Sequence, residues 1–271
     1  MQHGIHFISG LPRAGSTLLA GILRQNPRIH AAMTSPVGTL FAGLLGQMSQ
    51  SNEFALFIEE AQRKAILAGL FESYYRDIQA EKLVFDTNRL WCAKLPALAT
   101  LFPDAKVIAC VRDIPWVIDS VERLIQRNKF EPSKIFNFEA TGTVYNRMDA
   151  MVGINGMVGF AYNALKEAYY GEHTDRLMLL TYETLSRAPA QAMAAVYDFI
   201  GAPPFVHDFD HVDYAEDEYD ARIGTPGLHR VGAKVQYVER QTILPPDLVR
   251  RVENDSFWSD TKRNLRGVRV V

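Results

Sequence analysis

Near the start of the chain a turn bounded by glycines, Gly10-Leu11-Pro12-Arg13-Ala14-Gly15, runs straight into Ser16-Thr17 and follows an apolar stretch, Ile5 to Ser9. A strand, a glycine-bounded loop and a helix in that order aim several backbone N–H groups at one place, and an anion is what they attract. The usual phosphate-loop pattern is G-x-x-x-x-G-K-[ST], and Ser16 stands where its lysine belongs. The nearest cation is Arg13, inside the turn. Its planar fork can grip two anionic oxygens, so the loop suits a phosphate or sulfate group. It suits hydrolysis of a nucleoside triphosphate less well, because there the lysine reaches the outer phosphates.

Two further polar groups follow apolar runs. In "VRDIPWVIDSVERL" Arg112 closes a run of buried character, and Ser120 lies about two helical turns beyond it, so both can face one compact anion if the helix packs beside the site. Taken alone, an arginine after a strand is as well explained by a surface ion pair. In "KLVFDTNRL" the run ends at Asp86-Thr87-Asn88-Arg89, which places polar side chains at a strand's carboxyl end.

The elements that would position these groups alternate. Strands are expected at Ile5 to Ser9, Lys82 to Thr87, Ala105 to Val111 and Leu177 to Thr181. Helical segments are expected at Leu18 to Arg24, across about 37 to 77, after Pro115, across about 143 to 170, and up to Gly201. That alternation predicts an α/β, P-loop-like three-layer fold with a central, mainly parallel sheet flanked by helices. Ligands should gather beyond the strand carboxyl ends. With 271 residues, 48% of them hydrophobic, the chain reads as one domain over 1–271.

The remaining composition excludes more than it assigns. A net charge of -2 gives no electrostatic footprint for nucleic acid, although a local basic pocket is compatible with it. No apolar run reaches the roughly 18 residues that span a bilayer, and the start of the chain lacks a signal-peptide pattern, so a cytoplasmic protein without membrane contact is expected. Cys92 and Cys110 lack metal-ligand spacing and read as reduced core residues. The acidic stretch "HDFDHVDYAEDEYD" holds His207 and His211 but no framework that would fix ligands, so it reads as a solvated, substrate-gating loop and no metal is expected. Trp91 and Trp116 read as packing support for the loops they follow.

Together, "PRAGSTLL", the V-R-D…S segment and "TYETL" followed by "VYDFIG" resemble the sulfotransferase superfamily that uses 3′-phosphoadenosine-5′-phosphosulfate. The loop is most similar to that of bacterial members related to tyrosylprotein sulfotransferases. The resemblance runs from Phe7 to about Gly201, with an echo at "GLHRVGAKV". It implies that Arg13, Ala14, Gly15, Ser16 and Thr17 hold the 5′-phosphosulfate, with Arg13 also stabilising the transferring group. It implies Arg112 and Ser120 for the 3′-phosphate, Tyr182 for the nucleotide, and Arg230 with Lys234 for closure over the 3′-phosphate or adenine end. The acceptor would be a hydroxyl, less readily an amine, of a small molecule or peptide, and a homodimer is compatible with the family.

Two departures matter. Relatives place a lysine at the second strand's end to assist the leaving group, and here Arg89 or Asn88 would replace it, an Asp86–Arg89 ion pair being the structural alternative. The glutamate base of the tyrosylprotein relatives aligns with Thr34, which cannot serve as an ordinary general base, so His30 and His229 enter as substitutes beside a packing role for each. The rival readings are a P-loop small-molecule kinase using ATP, which Asp86 alone could support as a magnesium holder, and a nucleotide-binding protein without catalysis.

Overall fold

A computed structural model describes residues 4–139 and 142–271. Its elements begin with strand β1 (Ile5–Gly10), helix α1 (Ser16–Leu23), strand β2 (Ile29–Ala31) and helices α2 (Val37–Gln47) and α3 (Glu60–Tyr74). Strand β3 (Leu83–Thr87), helices α4 (Leu90–Ala93) and α5 (Leu95–Leu101), strand β4 (Val107–Val111) and helix α6 (Ile114–Arg127) follow. Helices α7 (Val144–Val152) and α8 (Met157–Tyr170) lead to strand β5 (Leu177–Thr181), and α9 (Tyr182–Arg187) and α10 (Pro189–Ile200) come next. The chain finishes with α11 (Asp217–Arg222), α12 (Pro246–Val252) and strand β6 (Arg269–Val270).

The strands form one sheet in the order β2-β3-β1-β4-β5-β6, and every pairing is parallel. The four expected strands occupy its centre, where near-continuous apolar sequence matches burial on both faces. The two edge strands span three and two residues, too few to leave a periodic signal. The helical run expected across 37–77 is interrupted. Asn52 accepts a hydrogen bond from the Phe54 N–H (3.2 Å) and starts a short 3₁₀ turn, and Glu59 and Gln62 then cap α3 reciprocally. The second long run breaks at Gly153–Gly156, where a Cβ on Gly156 would lie 2.1 Å from the Ala150 carbonyl oxygen.

Beneath β1 and β3 an aromatic cluster fills the core: Phe7 packs edge-on to Phe71 and Trp91, whose ring also meets Phe41. Burying each such ring contributes about 1.5–3 kcal/mol. One carboxylate sits among them. Asp86 is fully buried and accepts hydrogen bonds from the Ser35 hydroxyl (2.6 Å), the Tyr75 hydroxyl (2.5 Å) and the Trp91 indole (2.8 Å). Burial raises its pKa while these three donors oppose the rise. Trp91 thus supports the loop after β3 from below, as its sequence position suggested. Cys92 and Cys110 are buried free thiols, pushed up by burial to about 11 and about 12.

At the other end of β1, His6 is buried, and its Nδ1 accepts the Lys106 backbone N–H at 3.0 Å, which only an unprotonated nitrogen can do. Burial, and then the Lys106 charge, lower its pKa from 6.5 to about 4. The unfolded chain therefore binds a proton before the folded one does, and stability present above pH 6.5 is lost as pH falls toward 4. Urea unfolding at pH 7 and pH 4.5 should show the wild type losing about 2 kcal/mol more than His6→Asn, which keeps an acceptor but cannot titrate.

Candidate functional site

The strand order reverses between neighbours β1 and β4, since β1 leads toward β2 on one side and β4 leads to β5 on the other. A crevice opens beyond the carboxyl ends at such a point. Gly10 ends β1 with φ of 100°, and a Cβ there would lie 2.2 Å from the Cys110 carbonyl oxygen, so only glycine lets the turn leave the sheet so closely. The Leu11 N–H donates to that same oxygen at 2.8 Å. Gly15, also at φ of 100°, caps α1 without any side-chain bond. The first helical bond runs from the Leu19 N–H to the Gly15 oxygen (2.8 Å), so the N–H groups of Ser16, Thr17 and Leu18 precede the helical ladder. Those donors and the positive end of the helix form an anion cradle. Ala14 is fully buried behind it.

Arg13 adopts φ of 57°, a left-handed conformation uncommon for a side chain of this size. That turn sends its guanidinium across the crevice, where Nε donates to the Ser120 hydroxyl at 3.1 Å and Nη1 donates to the Leu228 carbonyl. Arg112 follows β4 and is 7% exposed, its guanidinium stacked 4.0 Å over the Tyr182 ring. Its Nε is buried and has no hydrogen-bond partner among the described residues. Arg240 comes from a late loop. The fully buried Asp119, next to Ser120 on α6, pairs with Arg240 (2.9 Å) and with Arg123 (2.9 Å), and it accepts the Ile243 N–H at 2.8 Å.

Three guanidinium groups therefore crowd one cavity. Burial is the main reason that Arg13 falls from 12.5 to about 10, and the Arg112 charge is next. Arg112 is lowered in turn, by burial first and with Arg240 among the lesser causes. Like charges held together at low solvent exposure favour a multiply charged anion among them. The cavity encloses about 760 Å³. It is lined by Arg13, Gly15, Ser16, Thr17, Asn88, Arg89, Arg112, Ser120, Tyr182, Arg230 and Lys234, so the residues singled out in the sequence meet there, with Ala14 just beneath.

Their settings differ. The Asn88 N–H donates to the Ile8 oxygen (3.0 Å), which fixes the turn after β3 beside the phosphate loop, and the Ser9 hydroxyl donates to the Arg89 oxygen (3.2 Å). Gly38 packs against Asn88 so closely that a Cβ would lie 2.3 Å from the Asn88 amide nitrogen. The Arg89 side chain is exposed on the cavity wall, and no ion pair joins it to Asp86, whose oxygens are taken by three protein donors. The same three bonds turn Asp86 away from the role of magnesium holder. Arg230 and Lys234 line the cavity, exposed and paired with Asp217 (2.7 Å) and Asp210 (2.8 Å), and Arg240 is a further late cation there whose charge acts on Arg112. His30 on β2 meets the Tyr75 ring edge-on at 5.8 Å, a packing role.

Residues 6–208 match the model of the sulfotransferase family. The chain belongs to that family. Among solved structures, the sulfotransferase of Alicyclobacillus acidocaldarius aligns with 97% of the chain and 94% of its own at TM-score 0.55 and 15% identity. The sulfotransferase domain of the curacin biosynthetic pathway covers 94% and 92% at TM-score 0.53 and 16% identity. That of the Synechococcus PCC 7002 olefin synthase covers 93% and 94% at TM-score 0.51 and 19% identity. The P-loop-like α/β fold is thus shared, and the protein is a sulfotransferase enzyme. Among the described residues no helix is long and apolar enough to cross a membrane.

Sequence reasoning did not reach Arg240, Asp119 or Asp220. Each acts through a contact with a loop more than eight residues away or through a partner on a different element, and no spacing encodes that. Asp119→Ala removes the acceptor that gathers Arg123, Arg240 and Ile243. The expected outcome is a loss of about 3 kcal/mol in urea unfolding, with faster hydrogen exchange at the Ile243 amide than at the sheet amides.

Proposed function

We propose that this sulfotransferase moves a sulfonate group from 3′-phosphoadenosine-5′-phosphosulfate to a hydroxyl, less readily an amine, of a small-molecule or peptide acceptor. The observation that carries the reading is a pair of anion sockets of different make on adjacent strand ends. One is the amide cradle of Gly15 to Leu18 after β1, and the other is the buried Arg112 with its unpartnered Nε after β4, near Ser120 and Arg240. A donor with separate 5′ and 3′ anionic groups matches two sockets, whereas a triphosphate needs one extended cradle with a lysine.

On this reading the amides of Ser16 and Thr17 and their hydroxyls orient the 5′-phosphosulfate, and Gly15 permits close approach of the main chain. Arg112 and Ser120 receive the 3′-phosphate, with Arg240 adding charge. Tyr182 holds the Arg112 guanidinium flat. Arg13, tied to both Ser120 and Leu228, links the two sockets and supplies charge as the leaving oxygen becomes anionic. Arg89 and Asn88, in the turn after β3 on the cavity lining, would assist departure of the leaving group in place of the relatives' lysine. The donor supplies an activated sulfonate, and the protein holds it in line with the acceptor oxygen.

Calorimetric titration with 3′-phosphoadenosine-5′-phosphate, beside ATP with magnesium, tests this. Binding of the bisphosphate should be independent of magnesium and weaken about 100-fold in Arg112→Ala and about tenfold in Ser120→Ala. A preference for ATP with magnesium, or an unchanged affinity in Arg112→Ala, would sink the two-socket reading.

A further inference from the structure

The acidic stretch after Gly201 is not simply a solvated loop. Its short helix α11 buries Asp220 completely, and the carboxylate faces inward to a single residue. Asp220 Oδ2 accepts the His229 backbone N–H at 2.7 Å, and Oδ1 lies 2.6 Å from His229 Nδ1. A carboxylate accepts only, so Nδ1 carries the proton and Nε2 is left with a lone pair. No described residue engages Nε2.

The ring lines the same cavity as the phosphate loop. Its neighbour Leu228 offers the carbonyl that receives Arg13, so one peptide separates the arginine that spans the two sockets from the imidazole. From the geometry we infer that His229, oriented by Asp220, is the general base that takes the acceptor's hydroxyl proton. The inference rests on the sulfotransferase reading of the cavity and assigns the role that Thr34 cannot fill. Thr34 lines the cavity as well but carries no basic group.

The step balances. As the acceptor oxygen bonds to sulfur, its proton passes to Nε2, and the electron pair of the breaking sulfur–oxygen bond stays on the 5′-phosphate oxygen, which leaves as the bisphosphate. His229 is the catalytic residue and Asp220 a positioning residue that sets the tautomer and steadies the imidazolium. Elsewhere the cavity lining includes Ile135, Met157 and Ile223 and the Tyr219 ring, interspersed with Lys134 and Asn155. A neutral alcohol or phenol is the acceptor that needs a base most.

Charge around the ring supports a working base. Asp220 on α11 raises its pKa, while Arg13 from the phosphate loop and Arg89 from the turn after β3 lower it, and the Tyr219 ring stands 5.7 Å away. Burial is the largest cause, and it brings the imidazole below 6.5, so His229 is neutral at pH 7 and able to accept a proton. Activity should therefore fall as pH drops through that lowered value.

The test compares wild type, His229→Gln and Asp220→Asn with the phosphosulfate donor and two acceptor probes, phenol and p-nitrophenol, at pH 8. Bisphosphate calorimetry runs alongside as a check on folding and donor binding. We expect His229→Gln to lower kcat/KM for phenol at least about 100-fold and for p-nitrophenol, already largely ionised, less than about fivefold. Asp220→Asn should lower the phenol rate about tenfold and move the acid limb of its pH profile. Equal losses with both phenols, or no loss, with bisphosphate affinity intact, would overturn the dyad alone. Failure of the wild type to bind bisphosphate would overturn the donor reading and the dyad with it. If neither phenol is accepted, long-range proton–nitrogen NMR decides, because the dyad requires His229 as the Nδ1–H tautomer at neutral pH and an Nε2–H tautomer overturns it.

Discussion

Mutual repulsion among Arg13, Arg112 and Arg240 is the constraint around which this site is built. Left to themselves, three guanidinium groups at one strand-end crevice would turn outward to water. Each is held by something specific: Arg13 by the Ser120 hydroxyl and the Leu228 carbonyl, Arg112 by the face of Tyr182, Arg240 by Asp119. Those tethers come from α6, from the start of α9 and from the late loop, so much of the tertiary packing on this side serves to keep like charges together. The preorganised field that results is the form of stabilisation that matters most for charge developing in a transfer reaction.

The parallel sheet supplies the rigid part of that arrangement. Gly10 must leave β1 almost in contact with β4, and Arg112 begins where β4 ends, so the two sockets are fixed by strand register and not by loop conformation. Beneath them, Asp86 gathers Ser35, Tyr75 and Trp91 and thereby fastens α3 and α4 to β3. This is a buried carboxylate in a structural role, and it shows why a polar residue at a strand end need not be aimed at a ligand.

How much of this could be read in the sequence follows from the range of each interaction. The central strands and the phosphate loop are local features: an apolar run and a glycine spacing state them outright. The edge strands are too short to form a pattern, and the long helical runs conceal breaks because Asn52 and Gly156 act through turns and close backbone approach. For the site, the phosphate loop and the Arg112–Ser120 segment are legible as motifs that resemble those of a known family. The late basic segment resembles the family's and points to Arg230 and Lys234, which line the cavity while paired with Asp217 and Asp210; Arg240, whose charge also acts on Arg112, has no motif to mark it. Asp220 lay in what composition marks as a solvated acidic stretch. Only the fold shows that one of its carboxylates is sealed from water against His229.

The late loop has a different character from the sockets at the strand ends. Leu228, His229 and Arg230, and after them Lys234 and Arg240, lie in a stretch without strand or helix that is laid across the cavity and anchored at a few points. Irregular surface backbone tolerates insertion and substitution far better than a buried sheet does. Evolution could therefore alter the segments between those anchor points, while Leu228 and Arg240, which help to hold the arginine cluster, and the strand ends below stay as they are.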